Sequence, residues 1–283
     1  MKNQLLDSIQ MLCKKMKIKN HFTNGRPGRS WYDGFMKRHP SSAGEEAVSK
    51  NDLRQWFEDV GKYLEDKGLL HIDSSRIFNC DESGFVLSQG KTTVLSRKGT
   101  KSVPSIINAG EKQSLTVLFA ISAKGEMIPL LIVYDYERMP SKVMENIPYG
   151  WGVGRNKGGW MNGPNFYEWT ANIFYNWLVV KGIELPVILY LDGHTSHRTM
   201  ELSLFYKSKG IELILLPPHA THLIQPLDTS FFAPMKEYWR KVVSDNRLMN
   251  PQKRVAVENL AHLLRTAMDL INPISIAKNG FRS

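Results

Sequence analysis

Cysteine is nearly missing from this 283-residue chain, which holds only Cys13 and Cys80, far apart and without a partner pattern. That excludes a disulfide framework and a Cys-based zinc site, and the two thiols read as free groups in a reducing compartment. Long apolar runs are missing too. The longest, Met127 to Tyr134, has eight residues and contains Pro129, well short of the roughly 20 that a bilayer-crossing helix needs. The opening MKNQLLDSIQMLCKKMKIKN holds no apolar segment of signal-peptide length, so no membrane association is expected. There is no internal repeat and no low-complexity tract. What the chain does have is an apolar fraction of 42%, ordinary for a protein that buries a core.

Charge is plentiful and unevenly placed. The net charge is +10, from 37 Lys and Arg against 27 Asp and Glu. Residues 1–42 hold nine basic and two acidic side chains, a local balance of +7, which leaves +3 for the other 241 residues. A basic module joined to a nearly neutral body suggests a polyanion-binding arm on a domain with another task. Inside the arm, Leu5, Ile9, Leu12 and Met16 recur at helical spacing over residues 2–19. Gly25-Arg26-Pro27-Gly28 is turn chemistry. A second helix is predicted after it, with Ser30 as N-cap, Trp31, Phe35 and Met36 as its apolar stripe, and Pro40 ending it. Helix, turn and basic helix is the layout by which a helix-turn-helix enters the major groove, although any basic two-helix surface shares that spacing.

A linker at residues 40–44 and a helix over 45–67 follow, the helix carrying Leu53, Trp56, Phe57, Val60 and Leu64 inward. The main body begins near residue 75. Strands are predicted at Ile77 to Cys80, Ser114 to Ser122 and Glu126 to Tyr134, the last two joined by a Lys124-Gly125 turn. After a loop from Pro148 to Gly163 rich in Gly and Trp come a helix at 165–181 and a strand at 187–191. A helix at 198–209, a strand at 211–216 and helices at 232–244 and 255–270 complete the pattern. This is a mixed α/β arrangement with helices on both faces of a sheet.

Three aspartates fall at or just beyond strand ends: Asp81, Asp192 and Asp228, with 110 and 35 residues between them. In such sheets the chemistry gathers beyond the strand ends. Taken singly, Asp192-Gly193 reads better as a turn and Asp228 as a helix N-cap than as functional groups. Taken together, carboxylates without a His/Cys set favour hard, oxygen-loving ions such as Mg²⁺ or Mn²⁺. Two such ions roughly 3.5–4 Å apart suit in-line phosphoryl displacement. The pairs His194/His197 and His219/His222 invite zinc, but neither the Cys set nor a helical His-Glu-x-x-His arrangement accompanies them. Trp151, Trp160, Trp169 and Trp177 could stack on bases, with core packing the better reading for the last two. Lys91, Arg97, Lys98 and Lys101 suit either a DNA-tracking run or a solvated hairpin.

The stretches Asn79-Cys80-Asp81-Glu82-Ser83-Gly84-Phe85, Leu191-Asp192-Gly193-His194-Thr195-Ser196-His197 and Leu216-Pro217-Pro218-His219-Ala220-Thr221-His222-Leu223-Ile224-Gln225-Pro226-Leu227-Asp228 resemble the three acidic motifs of the pogo/Tigger/jerky transposases. These belong to the mariner-related superfamily. Lys157-Gly158-Gly159-Trp160-Met161-Asn162 resembles the same family between its first two motifs, and residues 25–40 resemble the end of its centromere-protein-B type helix-turn-helix.

The resemblance implies an RNase H-like catalytic domain over 75–283, C-terminally truncated relative to that family. A linker and connecting helix over 43–74 and a partial helix-turn-helix over 1–42 would precede it. It implies Asp81, Asp192 and Asp228 as catalytic and metal-binding residues, Glu82 as a neighbour only, and His197 as an auxiliary group. Arg26, Arg29, Trp31, Lys37, Arg38 and His39 become the candidate DNA contacts. Two Mg²⁺ or Mn²⁺ ions, double-stranded DNA as partner, a possible homodimer, no small-molecule substrate and a nuclear location complete the expectation. The reaction implied is phosphodiester hydrolysis followed by attack of the freed 3′-hydroxyl on target DNA. A transposase-derived host protein that binds DNA without cutting it is the competing expectation.

Overall fold

The computed structural model of the chain describes residues 6, 10, 13–14, 20, 22–38, 48–87, 114–194, 199–250 and 255–282. They divide into two units, Met1–Ser49 and Lys50–Ser283.

In the first unit a 3₁₀ turn, Thr23–Gly25, precedes helix α1, Arg29–Arg38. Ser30 does not cap this helix as expected. The first helical hydrogen bond runs from the Tyr32 N–H to the Gly28 carbonyl at 3.1 Å, so the cap is Gly28, which tolerates that position. Trp31 packs edge-on against Phe22, with ring centroids 5.8 Å apart. Arg29 pairs with Asp33 one turn along, at 3.8 Å. The helix expected over 2–19 and the linker at 40–44 lie largely or wholly outside the described residues.

The second unit opens with helix α2, Lys50–Asp66. It lies on the sheet that follows, where Leu64, Trp56 and Val60 meet Ile188 and Ile214. The Trp56 indole donates to the Leu215 carbonyl at 3.2 Å, and the Tyr63 hydroxyl donates to Glu212 at 2.5 Å. Phe57, expected inside, is 54% exposed. It sits one residue beyond Trp56, about 100° around the helix and off the buried stripe.

The sheet contains β1 (Ile77–Val86), β2 (Ser114–Ser122), β3 (Leu131–Tyr134), β4 (Gly152–Arg155), β5 (Val187–Leu191) and β6 (Ile211–Leu215). Among the described residues their order is β4-β3-β2-β1-β5-β6. β2 runs antiparallel to β1 and β3, while β1–β5, β5–β6 and β3–β4 are parallel pairs. The predicted mixed α/β sheet is therefore the observed one. Three details differ. β1 does not stop at Cys80 but continues through Val86, because Ser83 and Phe85 alternate inward while Gly84 and Val86 face out. The expected strand at 126–134 shortens to 131–134, and Met127 makes an isolated bridge to Ile121. β4 lies inside the stretch read as a loop; two of its four residues are glycine, so it has no apolar alternation to reveal it.

Alternation in β2 builds both faces. Leu115, Val117, Phe119 and Ile121 enter one core with Phe85, Ile132 and Tyr134. Leu118 and Ala120 enter the other with Phe78, Cys80 and Val133. The second face is covered by α3 (Gly163–Glu168), a π-helical turn (Trp169–Phe174) and α4 (Tyr175–Lys181), and by α5 (Met200–Lys209). Asn162 caps α3, its side chain accepting from the Asn165 N–H at 3.0 Å. The first face is covered by α6 (Pro226–Ser230), α7 (Phe232–Met249), α8 (Leu260–Met268) and α9 (Pro273–Gly280). Helix α9 was not anticipated.

Phe119 is fully buried and meets the rings of Phe85, Phe231 and Phe232 at 5.7, 5.0 and 5.8 Å. Phe119→Ala should therefore destabilise the body by about 3–5 kcal/mol. Phe57→Ala, at an exposed position, should stay within about 0.5 kcal/mol of the parent. Urea unfolding midpoints measure both, and equal effects would contradict this packing.

Candidate active site

The sheet order places β1 beside β5, and their register pairs Asn79 with Tyr190. Two residues further along each strand lie Asp81 and Asp192. Side chains repeat every second residue on a face, so the two aspartates emerge at matching heights. The β1–β5 ladder ends at the Asn79–Tyr190 pair, whereas β1 stays bonded to β2 beyond it. Asp81 thus sits within a strand but at the place where one neighbouring strand has ended, and that opens the edge on its flank.

Asp228 arrives from a different direction. After β6, the Pro217-Pro218 pair and a turn with His219 in the left-handed region (φ 62) reverse the chain. A short helical turn, Thr221–Ile224, leads to α6, where Pro226 takes the first helical position and Asp228 lies in the first turn. A carboxylate there is favourably placed against the helix N-terminus. Helix α9 presses on α6 from behind. A Cβ on Gly280 would come within 2.6 Å of the Pro226 carbonyl oxygen and 2.5 Å of Ser230 Oγ, so only glycine allows this approach. The Ser230 hydroxyl lies 2.7 Å from the Pro226 carbonyl and 3.0 Å from that of Ile276, joining the two helices.

The three carboxylates sense one another. Asp81 retains some solvent access, but burial pushes its pKa well above the usual carboxylate value; Asp228 and then Glu82 raise it further, against the Glu82 N–H and the Gln225 amide. Asp228 is raised by burial and by Asp192, while Lys236 and His222 act in the opposite direction. Burial and the nearby Glu82, Asp81 and Asp192 hold the Cys80 thiol protonated, well above its ordinary value. Local bonds hold two of the acids: Asp81 accepts from the Glu82 N–H at 2.8 Å, and Asp192 from the His194 N–H at 3.1 Å. The second bond is the turn that Asp192-Gly193 suggested by itself, so that residue is both a turn former and a member of the acidic group.

Beside Asp81 lies Gln225, fully buried, whose amide faces the carboxylate yet closes no hydrogen bond with either polar atom. Among the described residues no group of three or more His, Cys, Asp or Glu side chains, the three aspartates included, is already placed to hold a metal ion together. A set of carboxylates in which Asp81 and Asp228 have raised pKa values, with an orphaned amide alongside, fits a different occupant. It suits a hydrated divalent cation that takes one or two carboxylates and keeps part of its water.

The remaining candidates fall elsewhere. Arg26, Arg29 and Trp31 lie in the first unit, at and before the start of α1. Lys37 and Arg38 form the end of that helix. His39, His197 and the run Lys91, Arg97, Lys98 and Lys101 lie outside the described residues. Trp169 is a core residue and Trp177 packs, partly buried, against the same core, while Trp151 packs partly against the first core. Trp160 stands out at 69% exposure. Sequence reasoning passed over Gln225 and Asn79, and both lie inside quoted motifs.

The fold and this acidic group define a class. A family model described as DDE superfamily endonuclease matches residues 112–281, more than half of the chain, and the chain belongs to that family. The sheet is that of the RNase H-like catalytic domain seen in the mariner transposase Mos1. The Mos1 catalytic domain aligns with 84% of this chain and 91% of its own at a TM-score of 0.50. The pre-cleavage Mos1 transpososome covers 99% and 73%, and a Mos1 paired-end complex with Mn 98% and 74%, each at 0.53. Sequence identity is 11% in all three, so the likeness is one of fold. A curated protein of Cochliobolus lunatus, called MFS-type transporter clz9, is 27% identical over 214 residues. The match takes in 74% of this chain, and the chain spans about a fifth (22%) of that relative's length. Among the described residues no helix is long and apolar enough to cross a membrane.

A raised Asp81 pKa has a consequence for stability. The folded chain holds that proton more tightly than the unfolded chain, whose Asp titrates near about 3.9. The group's stabilising contribution is therefore full below that pH and is lost as pH rises through the folded value. In chelator at pH 7, Asp81→Asn should raise the unfolding midpoint by about 2–4 °C, the size of about one kcal/mol in a body this long. The gain should vanish toward pH 3. Thermal unfolding across pH checks this, and an unchanged or lowered midpoint at pH 7 contradicts it.

Proposed function

We propose that the protein is a transposase of the pogo/Tigger/jerky branch, cutting and rejoining DNA through Asp81, Asp192 and Asp228. The observation that carries this reading is the convergence of three acid-bearing segments on one end of β1 and β5, with Asp228 electrostatically coupled to both other aspartates. Two Mg²⁺ or Mn²⁺ ions, when bound, would polarise the scissile phosphate and stabilise the attacking and leaving oxygens. The chain's own residues do the rest. Asp81 and Asp192, matched in height on neighbouring strands, supply one edge of the site, and Asp228 closes it from α6. Gln225 offers its amide to the hydration shell around Asp81. His222 and Lys236 offset part of the negative charge at Asp228, easing the approach of a phosphate.

In the first step water adds its oxygen to phosphorus, and the deoxyribose 3′-oxygen leaves carrying a proton. In the second, that 3′-hydroxyl attacks a phosphodiester of target DNA, displacing another sugar hydroxyl, so the number of phosphodiester bonds is conserved. His197 would stand near the phosphate as an auxiliary group. Arg26, Arg29, Trp31, Lys37, Arg38 and His39 would hold double-stranded DNA at residues 1–42. Two copies holding paired DNA ends in the nucleus complete the proposal.

Plasmid nicking with Mg²⁺, Mn²⁺ or chelator tests the chemistry. Nicking should require the metal, and Asp192→Asn should reduce it by more than about 100-fold, beyond the loss expected for a residue that merely orients a ligand. Nicking by Asp192→Asn at the parent rate would refute the triad. DNA binding without nicking by the parent would favour a transposase-derived host protein that has lost catalysis. The binding arm has its own test in the dependence of affinity on salt. Neutralising Lys37 and Arg38 together should flatten the slope of log K against log salt by about 2, one contact each. An unmoved slope would take these residues out of the DNA interface.

A further inference from the structure

Asn79 is fully buried on β1, two residues before Asp81. Its Nδ2 donates to the Tyr190 carbonyl at 3.0 Å, two residues before Asp192. Its Oδ1 accepts the Leu227 N–H at 3.1 Å, one residue before Asp228. One side-chain amide therefore touches the backbone of the other two acid-bearing segments while belonging to the first. These partners lie 111 and 148 residues away in the chain.

Each bond meets a need that the neighbouring structure leaves open. Leu227 follows Pro226 in the first turn of α6, where backbone N–H groups have no acceptor inside the helix. Such a donor, buried and unpaired, is destabilising; Asn79 Oδ1 supplies the acceptor. On the other side, Asn79 and Tyr190 form the last rung of the β1–β5 ladder, and the amide adds a side-chain bond across that rung. The bond to Leu227 is not replaceable by water, because Asn79 and Leu227 are both fully enclosed. An amide is also the right group: it donates and accepts at once, carries no charge, and is planar, which fixes the angle between its two partners.

We infer that Asn79 is a positioning residue that fixes the spacing of Asp81, Asp192 and Asp228 and so sets the affinity of the site for divalent cations. This inference rests on the reading of the three aspartates as a metal site. It is distinct from a purely structural role. Asn79 bonds to the backbone of both other acid-bearing segments, so its loss lets the carboxylates drift relative to each other even where the sheet and its cores stay formed. Residues that orient metal ligands without touching the ion show this behaviour.

The test compares Mn²⁺ binding, read by electron paramagnetic resonance on the folded full chain, for four proteins: the parent, Asn79→Leu, Asn79→Ser and Leu118→Ala. Leucine keeps the volume and removes both bonds; serine is the milder change should leucine prevent folding. Leu118 is fully buried in the core on the opposite face of the sheet from Asn79, so its truncation loses stability while leaving both Asn79 hydrogen bonds in place. The Asn79 variants should bind Mn²⁺ about 10–100-fold more weakly, with Leu118→Ala within about twofold of the parent despite its lower unfolding midpoint. In nicking assays the Mn²⁺ needed for half-maximal rate should rise by the same factor, with KM for DNA unchanged. Asn79 variants that bind Mn²⁺ like the parent would overturn the inference, as would a Leu118→Ala defect of equal size. A parent that binds no Mn²⁺ would overturn the metal-site reading itself, and the inference with it.

Discussion

Like charges held together in a partly buried place repel, and each must also surrender some of its hydration. The body of this protein is arranged to hold three carboxylates under that load. Asp81 and Asp192 leave neighbouring parallel strands at one height, and Asp228 is brought over them by a helix whose course is fixed at several points. Pro226 presets its start, Asn79 receives its first free N–H, and Gly280 lets α9 press against its backbone. The cost appears in the raised pKa values of Asp81 and Asp228. A divalent cation at these carboxylates, as proposed above, would relieve that repulsion directly.

The sheet's two apolar faces make such a site affordable. Side chains on β2 alternate between two separate cores, one roofed by the helices of residues 226–280 and the other by those of residues 163–209. The strands beneath the acids are thus clamped from both sides. Helix α2 adds a third patch over β5 and β6 and belongs with this body, since Trp56 and Tyr63 bond to Leu215 and Glu212. The sequence marked it as a connecting and packing helix, and these contacts are that packing.

Much of this was legible because particular residues carry local signals. The runs at 187–191 and 211–215 are apolar, short and bounded by Gly or Pro, and both are strands. The acidic motifs were long enough to indicate a DDE-type protein, and the match over residues 112–281 then established the DDE superfamily endonuclease family. Other features escaped for physical reasons. Asp81 was expected at the end of a strand because Ser83-Gly84 resembles a turn; pairing with β2 carries the backbone through it. β4 was read as loop because glycines let it approach β3 closely and leave no pattern behind. Helix α9 had usable signals in Asn272 and Pro273, an N-cap and a first-turn proline, which the preceding helical pattern obscured. Asn79 could not be read at all. Its importance lies in partners 111 and 148 residues distant, and no local propensity encodes such a contact.

The central claim is that the three aspartates form one metal site, and it can be observed directly. Crystals of the full chain soaked in Mn²⁺ should give anomalous scattering peaks between Asp81, Asp192 and Asp228, with Gln225 facing the ion's water shell. Peaks confined to other residues, or none at these carboxylates while Mn²⁺ binds elsewhere on the chain, would contradict the account.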